Sequence, residues 1–153
     1  STFLLTNGGE SPPVSTPHSD FPLARVRVLV LDDEEDMRDL IAMVLEKAGA
    51  RVTSAASVDD ASGALEAAPP DLVLSDLAMP GEDGYAFVRR VRASLRAEVR
   101  SVRIVAMTAY ARAEDRHRVL HAGFDRHVPK PIEPAELVAT LEEIVGPASR
   151  TKR

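Results

Sequence analysis

The chain has 153 residues, of which 44% are hydrophobic, and its formal net charge at pH 7 is −5. That length and hydrophobic fraction suffice for one ordinary domain with a single core. The absence of cysteine excludes disulfide bonds and thiolate metal sites, and it fits a reducing compartment such as the cytoplasm. The acidic net charge argues against nucleic acid as the main partner, because such binding requires cations that neutralise phosphates.

Neither a membrane span nor a secretion signal is apparent. The longest strongly apolar run, Val28 to Leu31, is far shorter than the roughly 20 residues that span a bilayer. The N-terminus also lacks the basic and then apolar order of a signal peptide. We therefore expect a soluble, cytoplasmic domain that makes no contact with a membrane.

Composition divides the chain near residue 24. Residues 1–24 are rich in Gly, Pro, Ser and Thr, which bury too little apolar surface to offset chain ordering, so we interpret them as a linker or tail. From Val26 onward, short apolar runs alternate with helical patterns, which is typical of βα units on a parallel sheet. Strands are predicted at Val26–Leu31, Arg51–Ala55, Leu72–Ser75, Val102–Met107 and Phe124–Val128.

Five helices are predicted from apolar stripes at helical spacing. The first stripe is Met37, Leu40, Ile41, Val44, Leu45 and Ala48, with Gly49 as the stop. The second runs from Val58 to Ala68, the third from Tyr85 to about Leu95, and the fourth from about Glu114 to Ala122. The fifth begins at Pro134, a residue favoured in the first turn of a helix.

Polar residues stand at the carboxyl ends of four predicted strands. Asp32 and Asp33 follow the first strand, Asp76 the third and Thr108 the fourth, and Lys130 lies just past the fifth. In an open parallel sheet, sites form outside the carboxyl ends of the strands, near the point where strand order reverses. We therefore expect three carboxylates, a hydroxyl and an ammonium to gather at one rim.

This combination of groups favours phosphoryl transfer. Three neighbouring carboxylates repel one another, and a hard cation such as Mg²⁺ removes the conflict while keeping positions for water and phosphate oxygens. The ammonium of Lys130 adds a second positive charge suited to a phosphate. Positioning and charge neutralisation carry most of the catalysis in phosphoryl transfer.

Four stretches occur in order along the chain: VLVLDDEEDMRDLI, DLVLSDLAMPGEDG, IVAMTAY and VPKPIEPAEL. They resemble the receiver domain of two-component response regulators, and the resemblance covers about residues 26 to 146. It implies an α/β, flavodoxin-like, doubly wound fold whose parallel sheet has strand order 2-1-3-4-5 and five helices. The expected divisions are a linker or tail at 1–24, a receiver domain at 25–146 and a C-terminal tail at 147–153.

The resemblance also implies a role for each rim residue. Asp76 would be the phosphoacceptor, Thr108 and Lys130 would contact the phosphoryl group, and the Lys130–Pro131 peptide would be cis. The phosphoryl donor would be a phosphohistidine on a histidine kinase or a phosphotransfer protein.

The implied cofactor is Mg²⁺. The resemblance makes Asp33 a direct ligand and Asp32 a ligand through water, with Asp76 also touching the metal. The backbone carbonyl of Ala78 would complete the protein ligands.

Phosphorylation would draw Thr108 toward the acyl phosphate and shift the face formed by the fourth helix, the fifth strand and the fifth helix. A homodimer could form through this face.

Two residues depart from the family pattern. His127 stands where Tyr or Phe is usual, which predicts a pH-sensitive switch. Ala78 offers no polar side chain to orient a hydrolytic water, and Tyr110 could also screen the site, so we expect slow or partner-dependent dephosphorylation.

Structural interpretations compete with these roles. Asp32 and Asp33 could only place negative charge at a helix N-terminus, and Asp76 could be a turn residue, but four motifs in register favour the site. His117 and His121 lie one helical turn apart without a Glu or Cys at zinc-site spacing, so a solvated face is favoured. A charged outer face also explains the run Arg89, Arg90, Arg92, Arg96, Arg100 and Arg103.

The parent protein is expected to be a hybrid sensor histidine kinase with a C-terminal receiver, on the cytoplasmic side of the membrane if that kinase is membrane-bound. The segment STFLL at residues 1–5 resembles the strand that closes the kinase ATPase module, and TAYARAEDRHR resembles receivers of such kinases. A free-standing single-domain regulator is the alternative. No effector pattern follows residue 146, so no DNA-binding output is expected within the chain.

Two other classes use a similar set of residues. A Mg²⁺-dependent phosphohydrolase resembling the haloacid dehalogenase family needs a second Asp two residues past its nucleophile, where this chain has Ala78, or Glu34 if Asp32 were the nucleophile. A receiver-shaped interaction module that accepts no phosphate usually lacks part of the acidic pocket, whereas this chain retains every member.

Overall fold

The computed structural model describes residues 21–78, 84–109 and 113–151, without the side chains of 113, 114 and 147–151. Within these ranges no helix is both long and apolar enough to cross a membrane. Strands and helices alternate along most of the chain, as the hydrophobic pattern predicts. The elements are β1 (Arg27–Leu31), α1 (Glu35–Lys47), β2 (Arg51–Ala55), α2 (Val58–Ala67), β3 (Leu72–Asp76), α3 (Gly84–Arg92), α4 (Ala97–Arg100), β4 (Arg103–Thr108), α5 (Ala113–Ala122), β5 (Arg126–Pro129) and α6 (Pro134–Thr151).

The five strands form one parallel sheet in the order β2-β1-β3-β4-β5. The predicted fold class and strand order are therefore confirmed. All five residues of β3 are buried, as expected for a central strand covered on both faces. Strand order reverses between β1 and β3, where Leu31 pairs with Ser75. This register brings the residues that follow the two strands to the same edge of the sheet.

Helices cover both faces of the sheet, which is the doubly wound arrangement. On one face, a core cluster includes Ile41 and Leu45 of α1 and Leu141 of α6. On the other face, a second cluster includes Leu65 of α2 and Phe87 of α3. The core also takes in Leu23, which is 0% exposed and donates its N–H to Ala48 O at 2.8 Å. Packing thus begins inside the segment predicted to be a linker, most of which lies outside the described residues.

The structure adds a short sixth helix to the five predicted ones. Helix α3 ends at Arg92 instead of near Leu95, and α4 follows at Ala97–Arg100. Leu95 is 97% exposed whereas Val99 is only 2% exposed, so burial of Val99 accompanies the turn between the two helices. The predicted fourth and fifth helices correspond to α5 and α6.

Helix α6 continues past the expected end of the domain. Its backbone is helical to Thr151 except at Gly146, where φ is 55° and ψ is 156°. A positive φ suits glycine, which has no Cβ to clash. The break coincides with the boundary at residue 146, but the backbone that follows is helical to Thr151 where the sequence predicted only a tail.

Candidate functional site

Four strands deliver the predicted rim residues to one end of the sheet. Asp76 ends β3 and Thr108 ends β4, while Asp32 directly follows β1. Lys130 follows β5, and its backbone N–H donates to Thr108 O at 2.8 Å. The Lys130 ammonium then lies 3.0 Å from Asp76 Oδ1 and 4.0 Å from Asp32 Oδ2. The gathering of these four groups is as the sequence predicts.

Asp32 is the most buried of the carboxylates, at 0% exposure. Its Oδ1 accepts the Glu34 N–H at 2.9 Å, but its Oδ2 is buried without a hydrogen-bond partner. Burial raises the pKa of Asp32 above its usual value, and the charges of Asp76 and Asp33 add to this effect. The Glu34 N–H and the Lys130 charge lower the same pKa without cancelling the rise.

Asp76 is 2% exposed and sits at the end of a fully buried strand. Its Oδ1 accepts hydrogen bonds from the Lys130 ammonium at 3.0 Å and from the Ala78 N–H at 3.2 Å. A rigid strand behind the carboxylate and two donors on one of its oxygens fix its orientation. Such a preorganised carboxylate can act as a nucleophile.

The three aspartates fit a hard divalent cation. Asp32, Asp33 and Asp76 each offer a carboxylate oxygen, and these oxygens lie within 4.8 Å of one another. The first and third are buried, whereas Asp33 is exposed. An all-oxygen donor set suits Mg²⁺, and Asp32 Oδ2, which accepts no hydrogen bond and lies 4.0 Å from the Lys130 ammonium, supplies a buried negative charge that a cation would balance.

Two residues that support the site had no role assigned from sequence. A Cβ added to Gly84 would lie 2.7 Å from Asp76 O, so only glycine lets α3 start this close to the end of β3. The Arg38 guanidinium donates to Asp32 O at 2.8 Å and ties α1 to the turn after β1. The sequence could have pointed to Gly84, because a glycine stands at the predicted start of a helix eight residues after Asp76. The role of Arg38 depends on the direction of its side chain, which the sequence does not give.

The remaining predicted residues lie around this cluster. Thr108 is 4% exposed at its edge, and the Lys130–Pro131 peptide is cis as the resemblance implied. Tyr110 lies outside the described residues. His127 is half-buried on β5, three residues before Lys130, and burial together with the charges of Arg116 and Arg126 lowers its pKa.

The histidine pair of α5 stays apart from the carboxylates. His117 and His121 are exposed, and their rings are stacked with centroids 5.9 Å apart. Among the residues described, no third His, Cys, Asp or Glu joins them at metal-binding distance. A solvated helix face remains the simplest interpretation of this pair.

Comparison with known proteins yields one family. The model of the response regulator receiver domain matches residues 28–142. An uncharacterized 14.6 kDa protein from Leptolyngbya boryana is 41% identical over 121 residues, which are 79% of this chain and 91% of that protein. Hybrid signal transduction histidine kinase D of Dictyostelium discoideum is 34% identical over 129 residues, which are 80% of this chain and 8% of the kinase.

Solved structures agree with this assignment. The chemotaxis protein CheY4 of Vibrio cholerae superposes with a TM-score of 0.73 at 28% identity, covering 79% of this chain and 99% of that one. The chain spans about half the length of several transcriptional regulators that it matches. With the fold, the motif positions and the family match in agreement, the chain belongs to the response regulator receiver domains of two-component signal transduction.

Proposed function

We propose that Asp76 accepts a phosphoryl group from a phosphohistidine of a histidine kinase or phosphotransfer domain. The observation that carries this proposal is the buried Asp76 carboxylate, held 3.0 Å from the Lys130 ammonium and within 4.8 Å of two further carboxylates. Asp32, Asp33 and Asp76, with the backbone carbonyl of Ala78, would hold Mg²⁺. When bound, Mg²⁺ neutralises the carboxylates and the phosphoryl oxygens.

The transfer step requires no separate base, because a carboxylate attacks as the anion. An oxygen of Asp76 forms a bond to phosphorus while the phosphorus–nitrogen bond of the donor breaks. The electron pair of that bond returns to the imidazole nitrogen, which leaves with the donor histidine. Lys130 neutralises charge on the phosphoryl oxygens, and the Thr108 hydroxyl donates to one of them.

Acetyl phosphate with Mg²⁺ tests the assignment. We expect mass spectrometry of the intact chain to show one added phosphoryl group, and trapping followed by peptide mapping to place it on Asp76. Asp76→Asn should abolish the addition. The matched control is Asp71→Asn, at the opposite end of β3, where Asp71 Oδ2 accepts the Arg27 N–H at 2.8 Å. Phosphorylation that persists in Asp76→Asn, or disappears in Asp71→Asn, would contradict the proposal.

The acyl phosphate of this domain is proposed to be long-lived. Ala78 is exposed beside Asp76 and carries no group that could orient water. We expect Ala78→Asn to shorten the lifetime, because an amide can hold a water in line with phosphorus. Loss of label from the purified phosphoprotein measures it, and a lifetime of seconds in the unsubstituted chain would refute the proposal.

The output surface is proposed to be the face formed by α5, β5 and α6. A hydrogen bond from Thr108 to the phosphoryl group would bias this face between two packings. A homodimer through the face is one expected result, and sedimentation before and after phosphorylation tests it. We place the domain in the cytoplasm, with neither nucleic acid nor membrane as its direct partner.

We also propose that the domain belongs to a hybrid histidine kinase. The support is the STFLL segment at residues 1–5 and the TAYARAEDRHR motif. The sequence upstream of Ser1 tests this directly: an ATPase module ending at this segment would support the proposal, and its absence would favour a free-standing regulator.

A further inference from the structure

Helix α1 begins among acidic residues, and a single arginine lies between them. Arg38 is the only basic residue from Asp32 to Glu46, a stretch that contains seven acids. An arginine in such surroundings can pair with an acid one helical turn away. Among the described residues, however, Arg38 forms no ion pair, and its half-buried guanidinium donates to the backbone carbonyl of Asp32 at 2.8 Å. The guanidinium is therefore bonded to the loop that follows β1.

The Asp32 carbonyl belongs to the peptide that leads into Asp33. The Asp32 N–H donates to Ala55 O at 3.2 Å, and Asp32 Oδ1 accepts the Glu34 N–H at 2.9 Å. With the bond from Arg38, Asp32 is held at its amide, its side chain and its carbonyl. Because a peptide unit is planar, fixing the Asp32 carbonyl also fixes the direction in which the chain continues to Asp33.

Asp33 has no comparable support of its own. It is exposed, and its carboxylate accepts no hydrogen bond from any residue that the structure describes. One of its oxygens nevertheless lies within 4.8 Å of an oxygen of Asp32 and of an oxygen of Asp76. The backbone of Asp33 therefore places this carboxylate at the cluster, and Arg38 holds that backbone.

We propose that Arg38 is a positioning residue for the cation site, which holds the Asp32–Asp33 peptide so that the Asp33 carboxylate can reach the cation. Residues that hold metal ligands in place contribute to metal affinity without touching the metal. The inference rests on the Mg²⁺-binding role proposed above for the aspartates.

The charge of Arg38 and its hydrogen bond have opposite effects on a bound cation. A guanidinium beside the loop repels Mg²⁺, so removal of the charge alone should strengthen Mg²⁺ binding. Removal of the hydrogen bond should weaken binding, because Asp33 loses its position. The direction of the change on substitution therefore shows which effect dominates.

Mg²⁺ binding to the full chain, measured by isothermal titration calorimetry, tests the proposal. Arg38→Met removes the donors and the charge, and it should weaken Mg²⁺ binding about tenfold. Arg38→Lys retains the charge and one donating group, and it should weaken binding only about threefold. Mg²⁺ binding by Arg38→Met that is as tight as that of the unsubstituted chain, or tighter, would overturn the proposal.

The matched control is Lys47→Met, which removes a cation from the far end of the same helix. Lys47 is exposed in the last turn of α1. Its substitution should leave Mg²⁺ affinity within about twofold of the unsubstituted value, because solvent and salt screen its charge. Equal weakening by Lys47→Met and Arg38→Met would overturn the proposal.

Acetyl phosphate labelling of Asp76 separates positioning from general damage to the fold. Arg38→Met should raise the Mg²⁺ concentration for half-maximal labelling about tenfold, a larger factor than its effect on the maximal rate. A lower maximal rate with an unchanged Mg²⁺ dependence would overturn the proposal. If Arg38→Met does not fold, Arg38→Lys decides: weaker Mg²⁺ binding supports the proposal, and unchanged binding overturns it.

The role of the aspartates and the role of Arg38 can be told apart. Asp33→Asn should weaken Mg²⁺ binding at least as much as Arg38→Met does, because it removes a ligand. Weaker binding in Asp33→Asn with unchanged binding in Arg38→Met would overturn only the role of Arg38. Absence of Mg²⁺ binding by the unsubstituted chain would contradict the proposed cation site itself, and the role of Arg38 with it.

Discussion

Two regions of the molecule combine aspartate with a basic side chain, and they differ in how completely their polar groups are bonded. In the first, which we call the Arg92 corner, α3 meets the loop before β5. The Arg92 guanidinium donates to Gly123 O at 3.0 Å and to Asp125 Oδ2 at 3.1 Å. The same carboxylate oxygen accepts the Ile104 N–H at 2.8 Å. Arg92 also donates to the carbonyls of Arg100 and Val102.

The carboxylate cluster at the other end of the sheet is bonded less completely, although it is more deeply buried. The side chains of Arg92 and Asp125 are 25% and 35% exposed, whereas those of Asp32 and Asp76 are 0% and 4% exposed. Yet Asp32 Oδ2 has no hydrogen-bond partner. The Lys130 ammonium faces this oxygen from 4.0 Å, and a buried carboxylate oxygen that accepts no hydrogen bond costs stability unless a ligand binds it. The contrast is the one expected if the corner stabilises the fold and the cluster has the proposed role of holding a cation.

The largest predicted effect concerns the Arg92 corner. Arg92→Met should lower the free energy of unfolding by about 2–3 kcal/mol, because several acceptors lose their donor together. Urea unfolding measures this. The matched control is Arg126→Met, whose 3.0 Å ion pair with Glu143 is largely exposed and should contribute less than about 1 kcal/mol. Equal losses of unfolding free energy in the two variants would contradict the view that the Arg92 corner contributes more to stability than an exposed ion pair does.

Close backbone packing at the cluster gives the next effect. Gly84→Ala should destabilise the domain by about 1–3 kcal/mol, the cost of overpacking, because the new Cβ would lie 2.7 Å from Asp76 O. The control is Gly63→Ala in α2, where an added Cβ would meet nothing within 4 Å. This substitution should stabilise the helix by up to about 1 kcal/mol. Thermal unfolding compares both, and a stabilised Gly84→Ala would contradict the close approach.

Removing a charge from the cluster should raise the free energy of unfolding, whereas removing one from the Arg92 corner should lower it. Asp32→Asn should stabilise the Mg²⁺-free domain by about 1–2 kcal/mol at pH 7, because it eliminates a buried charge, one oxygen of which accepts no hydrogen bond. Mg²⁺ should then raise the melting temperature of the variant less than that of the unsubstituted chain. A destabilised variant would show that the Asp32 charge is satisfied within the fold.

The pH dependence of this gain follows from the raised pKa of Asp32. A carboxyl that ionises less readily in the folded state than in the unfolded one destabilises the fold as pH rises above its usual value of 3.8. Below that value both states are protonated and the penalty vanishes. The advantage of Asp32→Asn should therefore be absent near pH 3, grow as pH rises above 3.8, and be complete above the folded pKa.

Sequence reasoning recovered the elements of the site that depend on local order. Asp76 and Thr108 were predicted at strand ends because an apolar run followed by a polar residue marks where a strand leaves the core. The sheet order came from family resemblance, since hydrophobic periodicity alone does not determine which strands are neighbours.

The features that were missed depend on contacts between distant residues. Helix α3 was predicted to reach about Leu95, yet it ends at Arg92, whose bonds join segments up to 33 residues away. Likewise, the stripe of α1 was treated as a single face, whereas Leu40 of that stripe is 38% exposed beside the buried Ile41. Periodicity places residues on neighbouring flanks of a helix, but the opposing helix determines which flank is covered.

The smallest predicted effect lies on β5, which links the two regions. Asp125 of the corner precedes this strand and Lys130 of the cluster follows it, with His127 between them. Burial, then the charges of Arg116 and Arg126, lowers the pKa of His127 below 6.5. The folded state therefore takes up this proton less readily than the unfolded one, and its stability falls as pH decreases from 6.5 through the folded pKa.

His127→Phe and His127→Gln should each reduce the fall in unfolding free energy between pH 8 and pH 5, by less than about 1 kcal/mol. The carboxylates common to all three proteins cancel in the comparison, so an unchanged slope in both variants would mean that β5 joins the corner to the cluster without a titrating group between them.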